Sequence, residues 1–191
     1  GMNYLKQAAL SVKLNNDSSL RPSVVALYQK LNNENKQSRL GQETHYLLFP
    51  PLVVQKGEPA ADADFTDVQG KHHSLADFRG KYLLVDFWSI GCGPCMMAVP
   101  ELKELSLGYK EKLEVIGVSI DIKTVWSGLK NKDMIWTNLN DGQENRGIAA
   151  RYGVDGIPHY ALISPDGILL DTWVGYEKGN LIAKIKEHLK S

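Results

Sequence analysis

Two cysteines, Cys92 and Cys95, are the residues of this sequence best suited to do chemistry. They are its only cysteines, and they follow an apolar run from Tyr82 to Trp88 after the short segment Ser89–Gly91. A helix that starts at the pair presents unpaired backbone N–H groups and the positive end of its dipole to the first sulfur, which favours the thiolate. The second thiol is close enough to close a ring onto the first. This spacing predicts thiol-disulfide exchange.

Structural packing and metal binding are the two other interpretations of the cysteine pair. A structural zinc site usually takes four ligands, and the sequence contains no second pair of cysteines. His72 and His73 fall in a predicted edge hairpin and form no convincing set of ligands. We therefore expect no metal and no cofactor other than a redox-active disulfide between Cys92 and Cys95.

The composition is that of a soluble globular protein. The chain has 191 residues, of which 43% are hydrophobic, and its 22 basic side chains balance its 22 acidic ones. A zero formal charge gives no electrostatic footprint for nucleic acid, and no apolar run is long enough for stable insertion into a membrane. Gly1 before Met2 is typical of an expression remnant, so we expect that an export signal or anchor was removed.

The composition changes at Pro50-Pro51. Before it, apolar residues at helical spacing predict a helix over Leu20 to Leu31, and Asn3 to Leu14 forms a weaker helical pattern. The polar stretch Asn32 to Gln37 has the composition of a loop. We predict a helical extension over residues 1–50, without visible chemistry.

After Gly57 the pattern alternates between strands and helices, which predicts an α/β fold with a mixed sheet between helices. The predicted strands are Phe65–Val68, His72–Ser74, Lys81–Trp88, Leu113–Ile120, Tyr160–Ile163 and Ile168–Val174. The predicted helices are a short turn at Leu75–Phe78, the helix after Cys92, and Lys123–Asn131, Glu144–Tyr152 and Leu181–Leu189.

The residues around the cysteine pair resemble thioredoxin. The matching segments are Val85–Trp88, the Cys-Gly-Pro-Cys motif, Pro100, and Arg151–Pro158. Upstream, Phe65–Asp67, Gly70-Lys71, Ser74-Leu75 and Phe78–Lys81 resemble the extended bacterial envelope branch of that superfamily, which is TlpA/ResA-like and related to the AhpC/TSA redoxins. The resemblance implies a three-layer α/β/α sandwich with a mixed central sheet over residues 57–191.

The resemblance assigns roles to the residues of the motif. It implies that Cys92 is exposed and attacks the substrate disulfide, and that Cys95 resolves the mixed disulfide. Pro94 stiffens the loop without the loss of a hydrogen bond, because the first helical turn cannot use its N–H. Gly93 and Pro94 are expected to contact the substrate.

Asp86 is unusual because it stands within an apolar strand. Burial raises the pKa of a carboxyl group, so Asp86 is a candidate proton acceptor for Cys95 through a water molecule. The matching acid has this role in thioredoxins. The alternative is an aspartate whose strand position reaches solvent.

Pro158 resembles the cis-proline that faces the cysteine pair in this superfamily. The backbone of the residue before it, Ile157, is expected to pair with an extended substrate polypeptide. A trans proline at the start of a strand is the alternative. Trp88 is expected to cover the active-site loop and to contact the substrate. Plain core packing is the other interpretation, and the two are compatible.

Four positions depart from the thioredoxin pattern. Gly91 replaces the tryptophan before the first cysteine, and Met96 replaces a basic residue after the second. Gly117 stands where a lysine lies close to the buried acid. His159 follows Pro158 in place of the commoner threonine, and we expect it to be an exposed strand residue.

The leading functional prediction is a thiol-disulfide oxidoreductase that acts on protein substrates, as a periplasmic or envelope-associated reductase supplied by an upstream thiol donor. Its expected substrates include apocytochromes and damaged proteins. A thiol peroxidase is the first alternative, although that chemistry favours threonine where this chain has Ser89. A redox-regulated binding module is the second alternative, and a cytoplasmic location also stays open.

Overall fold

The computed structural model describes residues 1–128 and 132–189. The chain divides into two compact units, Gly1–Leu52 and Val53–Ser191. No helix in the described ranges is both long and apolar enough to cross a lipid bilayer.

The first unit contains four helices. They are α1 (Met2–Asn15), α2 (Arg21–Gln29), α3 (Asn33–Gln37) and α4 (Arg39–Leu48). Their shared core is small, and its buried members are Ala9, Val12, Val24, Tyr28 and Leu48. The predictions of α1 and α2 are confirmed, with Pro22 in the first turn of α2.

The loop predicted over Asn32 to Gln37 is wrong, because α3 occupies most of it. The side chain of Asn32 accepts the backbone N–H of Asn35 at 2.9 Å, and that of Ser38 accepts the N–H of Gly41 at 3.1 Å. Polar residues that cap helices have the same composition as polar residues in loops. For this reason the sequence pattern did not predict α3 or α4.

The second unit is built on one seven-stranded sheet with the strand order β2-β1-β5-β4-β3-β6-β7. The strands are β1 (Phe65–Asp67), β2 (His72–His73), β3 (Tyr82–Trp88), β4 (Leu113–Ser119), β5 (Thr137–Asn140), β6 (His159–Ile163) and β7 (Leu169–Val174). The helices are α5 (Gly93–Gly108), α6 (Lys123–Trp126), α7 (Ile148–Arg151) and α8 (Asn180–Leu189), with a 3-10 turn at Leu75–Phe78.

The sheet is mixed, as predicted. Strand β3 runs parallel to β4, which runs parallel to β5, while β6 and β7 are antiparallel additions on one side and β1 and β2 on the other. Separate apolar clusters cover the two faces of the central strands. Helices α5 and α8 belong to one cluster, and α7 belongs to the other.

Strand β5 was not predicted, because asparagine is depleted in strands. Here the side-chain N–H groups of the buried asparagines have hydrogen-bond acceptors. Asn140 donates to the carbonyls of Ser119 and Asp121 at 3.0 and 2.9 Å, and Asn138 donates to that of Trp136 at 3.0 Å. These bonds offset the burial of the amides and make the strand possible.

Two predicted helices are shorter in the structure. Glu144 has a φ of 57°, in the left-handed region, so the helix predicted from Glu144 begins only at Ile148. The Asp141 carboxylate accepts the N–H of Ile148 at 2.7 Å and fixes that start. Helix α6 ends at Trp126, and residues 129–131 of the predicted Lys123–Asn131 helix lie outside the described residues.

Candidate active site

The cysteine pair lies where β3 passes into α5. Cys92 is the N-cap of α5, and Cys92 and Cys95 are joined by a disulfide bond. The sulfur of Cys92 accepts the backbone N–H of Cys95 at 3.1 Å. Unpaired N–H groups and the positive end of the helix dipole therefore face this sulfur, and both stabilise a thiolate after reduction.

Asp121 fixes the loop before the cysteines, a role that the sequence analysis missed. Its carboxylate accepts the N–H of Ile90 at 2.9 Å and the hydroxyl of Ser119 at 2.8 Å. Strands β3 and β4 are parallel, so their carboxyl ends meet at one edge of the sheet. A polar residue just beyond a buried parallel strand was the signal that could have identified it.

The exposure predicted for Cys92 is wrong for this oxidised state. Only 8% of Cys92 and 2% of Cys95 is accessible to solvent. The disulfide bond ties the first sulfur to a cysteine that packs into the apolar cluster under α5. The neighbouring residues Gly91, Gly93 and Pro94 are exposed, so a partner can approach the pair along the loop.

Asp86 is buried on the same face of the sheet as the cysteines. It alternates with Leu84 and Trp88, which belong to the cluster that contains the disulfide. Its exposure is 1%, so the alternative of an aspartate that reaches solvent is wrong. Burial raises the pKa of Asp86 to about 8, and its Oδ1 has no hydrogen-bond partner within residues 1–128 and 132–189.

The Ile157–Pro158 peptide bond is cis, as predicted. The register of β3 and β6 pairs Phe87 with His159, so the preceding residue Pro158 lies beside the end of β3 that leads to the cysteines. The carbonyl of Pro158 accepts the N–H of Gly175 at 2.8 Å. Ile157 is half-buried and packs against the apolar cluster that contains the disulfide.

Trp88 is buried in the oxidised protein. Its exposure is 1%, because it points from β3 into the cluster under α5. Its indole nitrogen lies 3.0 Å from the position that a Cβ on Gly117 would occupy. Trp88 therefore packs in the core, and the cover of the active-site loop and the substrate contact expected of it stay predictions.

His159 is buried, so its predicted exposure is also wrong. Only 4% of it is accessible, and its ring packs edge-on against Phe87 at 5.8 Å between centroids. Phe87 belongs to the opposite face of the sheet from the cysteines. Burial lowers the pKa of His159, and neither ring nitrogen has a hydrogen-bond partner among the described residues.

The two edge histidines are paired with carboxylates. His72 contacts Asp64 and His73 contacts Asp67, each at 2.8 Å. In the part of the chain that the structure describes, no group of three histidine, cysteine or acidic side chains is arranged to hold a metal ion.

Residues 56–172 match the AhpC/TSA family. The thiol-disulfide oxidoreductase ResA of Bacillus cereus is 32% identical over 168 residues, which cover 86% of this chain and 84% of that protein. The thioredoxin-like protein YneN of Bacillus subtilis is 30% identical over 127 residues, or 64% of this chain and 73% of that protein.

Solved structures give the same result for the fold. The thioredoxin domain of a thiol-disulfide oxidoreductase from Bacteroides vulgatus has a TM-score of 0.60 and 28% identity, and the match covers 69% of this chain and 98% of that one. A putative thiol:disulfide interchange protein DsbE from Chlorobium tepidum has a TM-score of 0.61 and 26% identity, over 72% and 97% of the two chains. The chain therefore belongs to the AhpC/TSA family, as a thioredoxin-like thiol-disulfide oxidoreductase of the ResA type.

Proposed function

We propose that this protein reduces disulfides of protein substrates in the cell envelope and is itself reduced by an upstream thiol donor. The observation that carries this proposal is the Cys92–Cys95 pair at the start of α5, where the helix stabilises the attacking thiolate. In this reaction a dithiol and a disulfide exchange two electrons.

The reaction proceeds through a mixed disulfide. The Cys92 thiolate attacks one sulfur of the substrate disulfide, forms a bond to it and releases the other sulfur as a thiolate. Asp86 takes the proton of the Cys95 thiol, and the resulting thiolate attacks Cys92. The Cys92–Cys95 bond forms, the bond from Cys92 to the substrate breaks, and the substrate leaves as a dithiol after protonation.

We assign the substrate contacts to the exposed part of the loop and to the segment before the cis-proline. Gly93 and Pro94 are exposed beside the disulfide, and Ile157 precedes β6 at the same end of the sheet. An extended substrate segment can pair with the backbone at Ile157 and bring its disulfide to Cys92.

The envelope location and the organisation of the chain are also proposals. A structural relative from Streptococcus pneumoniae is described as an exposed lipoprotein thioredoxin, and it has a TM-score of 0.56 and 25% identity over 66% of this chain and 99% of that one. The family match begins at residue 56. We assign residues 57–191 to the catalytic domain and residues 1–50 to a helical extension.

The equilibrium potential of the cysteine couple tests the direction of electron flow. A reductase is expected to have a potential near that of thioredoxin, about −270 mV. A value near −120 mV, typical of a strong thiol oxidant, would contradict the proposal.

Turnover assays test the substrate class. The reduced protein is expected to reduce insulin disulfides, and a Cys95→Ser variant is expected to hold insulin as a mixed disulfide. The Cys92→Ser, Cys95→Ser double variant is the matched control and should capture nothing. Consumption of hydrogen peroxide without insulin reduction would instead identify a thiol peroxidase.

A further inference from the structure

A row of residues crosses the sheet at the level of Asp86. From β5 to β7 its other members are Asn138, Gly117, Tyr160 and Trp173, each paired with its neighbour in the strand register. Residues directly opposite each other in a sheet point to the same face. The side chains of this row therefore share the face that α5 and the cysteines cover.

Asp86 has no polar neighbour from β4. Its partner in the β4 register is Gly117. A Cβ on Gly117 would lie 2.1 Å from the amide oxygen of Asn138, so this oxygen occupies the space beside the glycine. The other side of Asp86 differs, because Tyr160 stands directly opposite it on β6.

Tyr160 is a buried phenol that stays protonated and can donate a hydrogen bond. It is fully buried, and its ring packs against Trp173 at 5.5 Å between centroids. Burial raises the pKa of Tyr160, and the charges of Asp86 and Glu101 raise it further. Its hydroxyl has no hydrogen-bond partner among the described residues. A buried donor without an acceptor costs free energy, so its presence calls for an explanation.

Other titratable side chains lie around Asp86 and Tyr160. Glu101 on α5 accepts the hydroxyl of Tyr176 at 2.9 Å and the N–H groups of Gly179 and Ile182 at 3.0 and 2.7 Å. Glu101 is therefore already engaged by the segment that leads into α8. Cys92, the N-cap of α5, and Cys95 also belong to the cluster on this face, and both are titratable thiols once the disulfide is reduced.

We propose that Tyr160 is the positioning residue for Asp86 and that its hydroxyl donates to the Asp86 carboxylate across one water molecule, while that carboxylate accepts the Cys95 proton. This inference rests on the role of Asp86 in the proposed function. The proton leaves the Cys95 sulfur for the Asp86 oxygen and passes to the departing substrate thiolate. Tyr160 retains its own proton throughout, and its hydrogen bond stabilises the carboxylate form of Asp86.

The test is the pH dependence of the resolving step in a Tyr160→Phe variant. The rate of release of a preformed mixed disulfide is followed by stopped flow from acid to alkaline pH. Loss of the donor disfavours the carboxylate and so raises the pKa of Asp86. The pH at the midpoint of the rise in rate should therefore move up by about one unit. Below that midpoint the resolving step should be about tenfold slower. At high pH the rates should converge.

Tyr176→Phe is the matched control. It removes one phenol hydroxyl from the same neighbourhood, together with its 2.9 Å bond to Glu101, and should leave the midpoint unchanged. Site-specific 3-fluorotyrosine at position 160 is a stronger donor of nearly the same shape, so it should lower the midpoint. That variant also gives the answer if Tyr160→Phe fails to fold.

The outcomes separate this inference from the proposed function. If Asp86→Asn keeps the wild-type pH profile, the proton transfer assigned to Asp86 and the role of Tyr160 are both overturned, whereas the proposed reductase function fails only if the protein does not reduce insulin. If Asp86→Asn loses the rise while Tyr160→Phe keeps the wild-type midpoint, only the role of Tyr160 is overturned. An equal slowing of Tyr160→Phe at every pH, without a shift, also contradicts it.

Discussion

Both faces of strand β3 are buried, yet they contain different chemistry. One face presents Leu83, Val85 and Phe87 to a cluster of apolar side chains. The other presents Leu84, Asp86 and Trp88 to the cluster that contains the disulfide. Alternation along one strand thus separates a packing face from a reactive face, because successive side chains point in opposite directions.

The reactive face contains polar groups that packing alone does not require. Asp86, Trp88, Asn138 and Tyr160 each have a buried polar atom without a hydrogen-bond partner among the described residues. Such atoms cost free energy in a folded protein, and a catalytic role is one explanation for their presence. In the proposed function, these atoms lie around the carboxyl group that accepts the Cys95 proton.

His159 is a buried base on the packing face, and it makes the comparison testable. Burial favours the neutral form of any group, so it raises the pKa of the acid Asp86 and lowers the pKa of the base His159. The two faces should therefore respond to pH in opposite directions.

The largest expected effect is on activity, from Cys92→Ser. Loss of the attacking thiolate should lower insulin reduction on the order of a thousandfold or more, since no other cysteine remains to start the reaction except buried Cys95. Turbidity of precipitating insulin chains measures the rate. Retention of more than about a tenth of wild-type activity would assign the attack to Cys95 and reverse the proposed roles.

The next effect is on stability, from Phe87→Ala on the packing face. Removal of this fully buried ring should lower the free energy of unfolding by about 3–5 kcal/mol. Urea unfolding of the oxidised protein measures it. The redox potential of the folded variant should stay within about 30 mV of wild type. A larger change in potential would show that the two faces are not functionally separate.

Asp86→Asn should change how stability depends on pH. The pKa of Asp86 is raised in the folded state from 3.8 to about 8, so its stabilising contribution is complete below pH 3.8 and is lost as the pH rises through 8. Between these values the oxidised wild type should lose about 1.4 kcal/mol per pH unit relative to the variant. Parallel stability curves for the two proteins, measured by urea unfolding, would contradict the burial of a carboxyl group here.

His159→Leu should give a smaller effect of the opposite sign. The pKa of His159 is lowered in the folded state, so its contribution is present above 6.5 and is lost as the pH falls toward the lowered value. The free energy of unfolding of the variant, relative to that of wild type, should therefore be higher at pH 5 than at pH 7. The same difference at both values would place a charged, solvated histidine at this position.

Local pattern was sufficient for much of the site. The apolar run before the cysteines predicted β3, the cysteine spacing predicted the disulfide at the start of α5, and the resemblance around Pro158 predicted its cis bond. Each of these features depends on residues close in the chain, where spacing and turn chemistry are directly visible. Helices α3 and α4 and strand β5 escaped prediction because side-chain hydrogen bonds made polar segments regular.

By itself the sequence determined the reactive pair, the buried strand that delivers it, and the mixed α/β class of the catalytic unit. Only the tertiary structure decided that Cys92, Trp88 and His159 are buried, and that Tyr160 stands opposite Asp86. The physical reason is register. Residues 74 positions apart become neighbours only when β6 pairs with β3, and a shift of one residue would turn Tyr160 to the other face of the sheet.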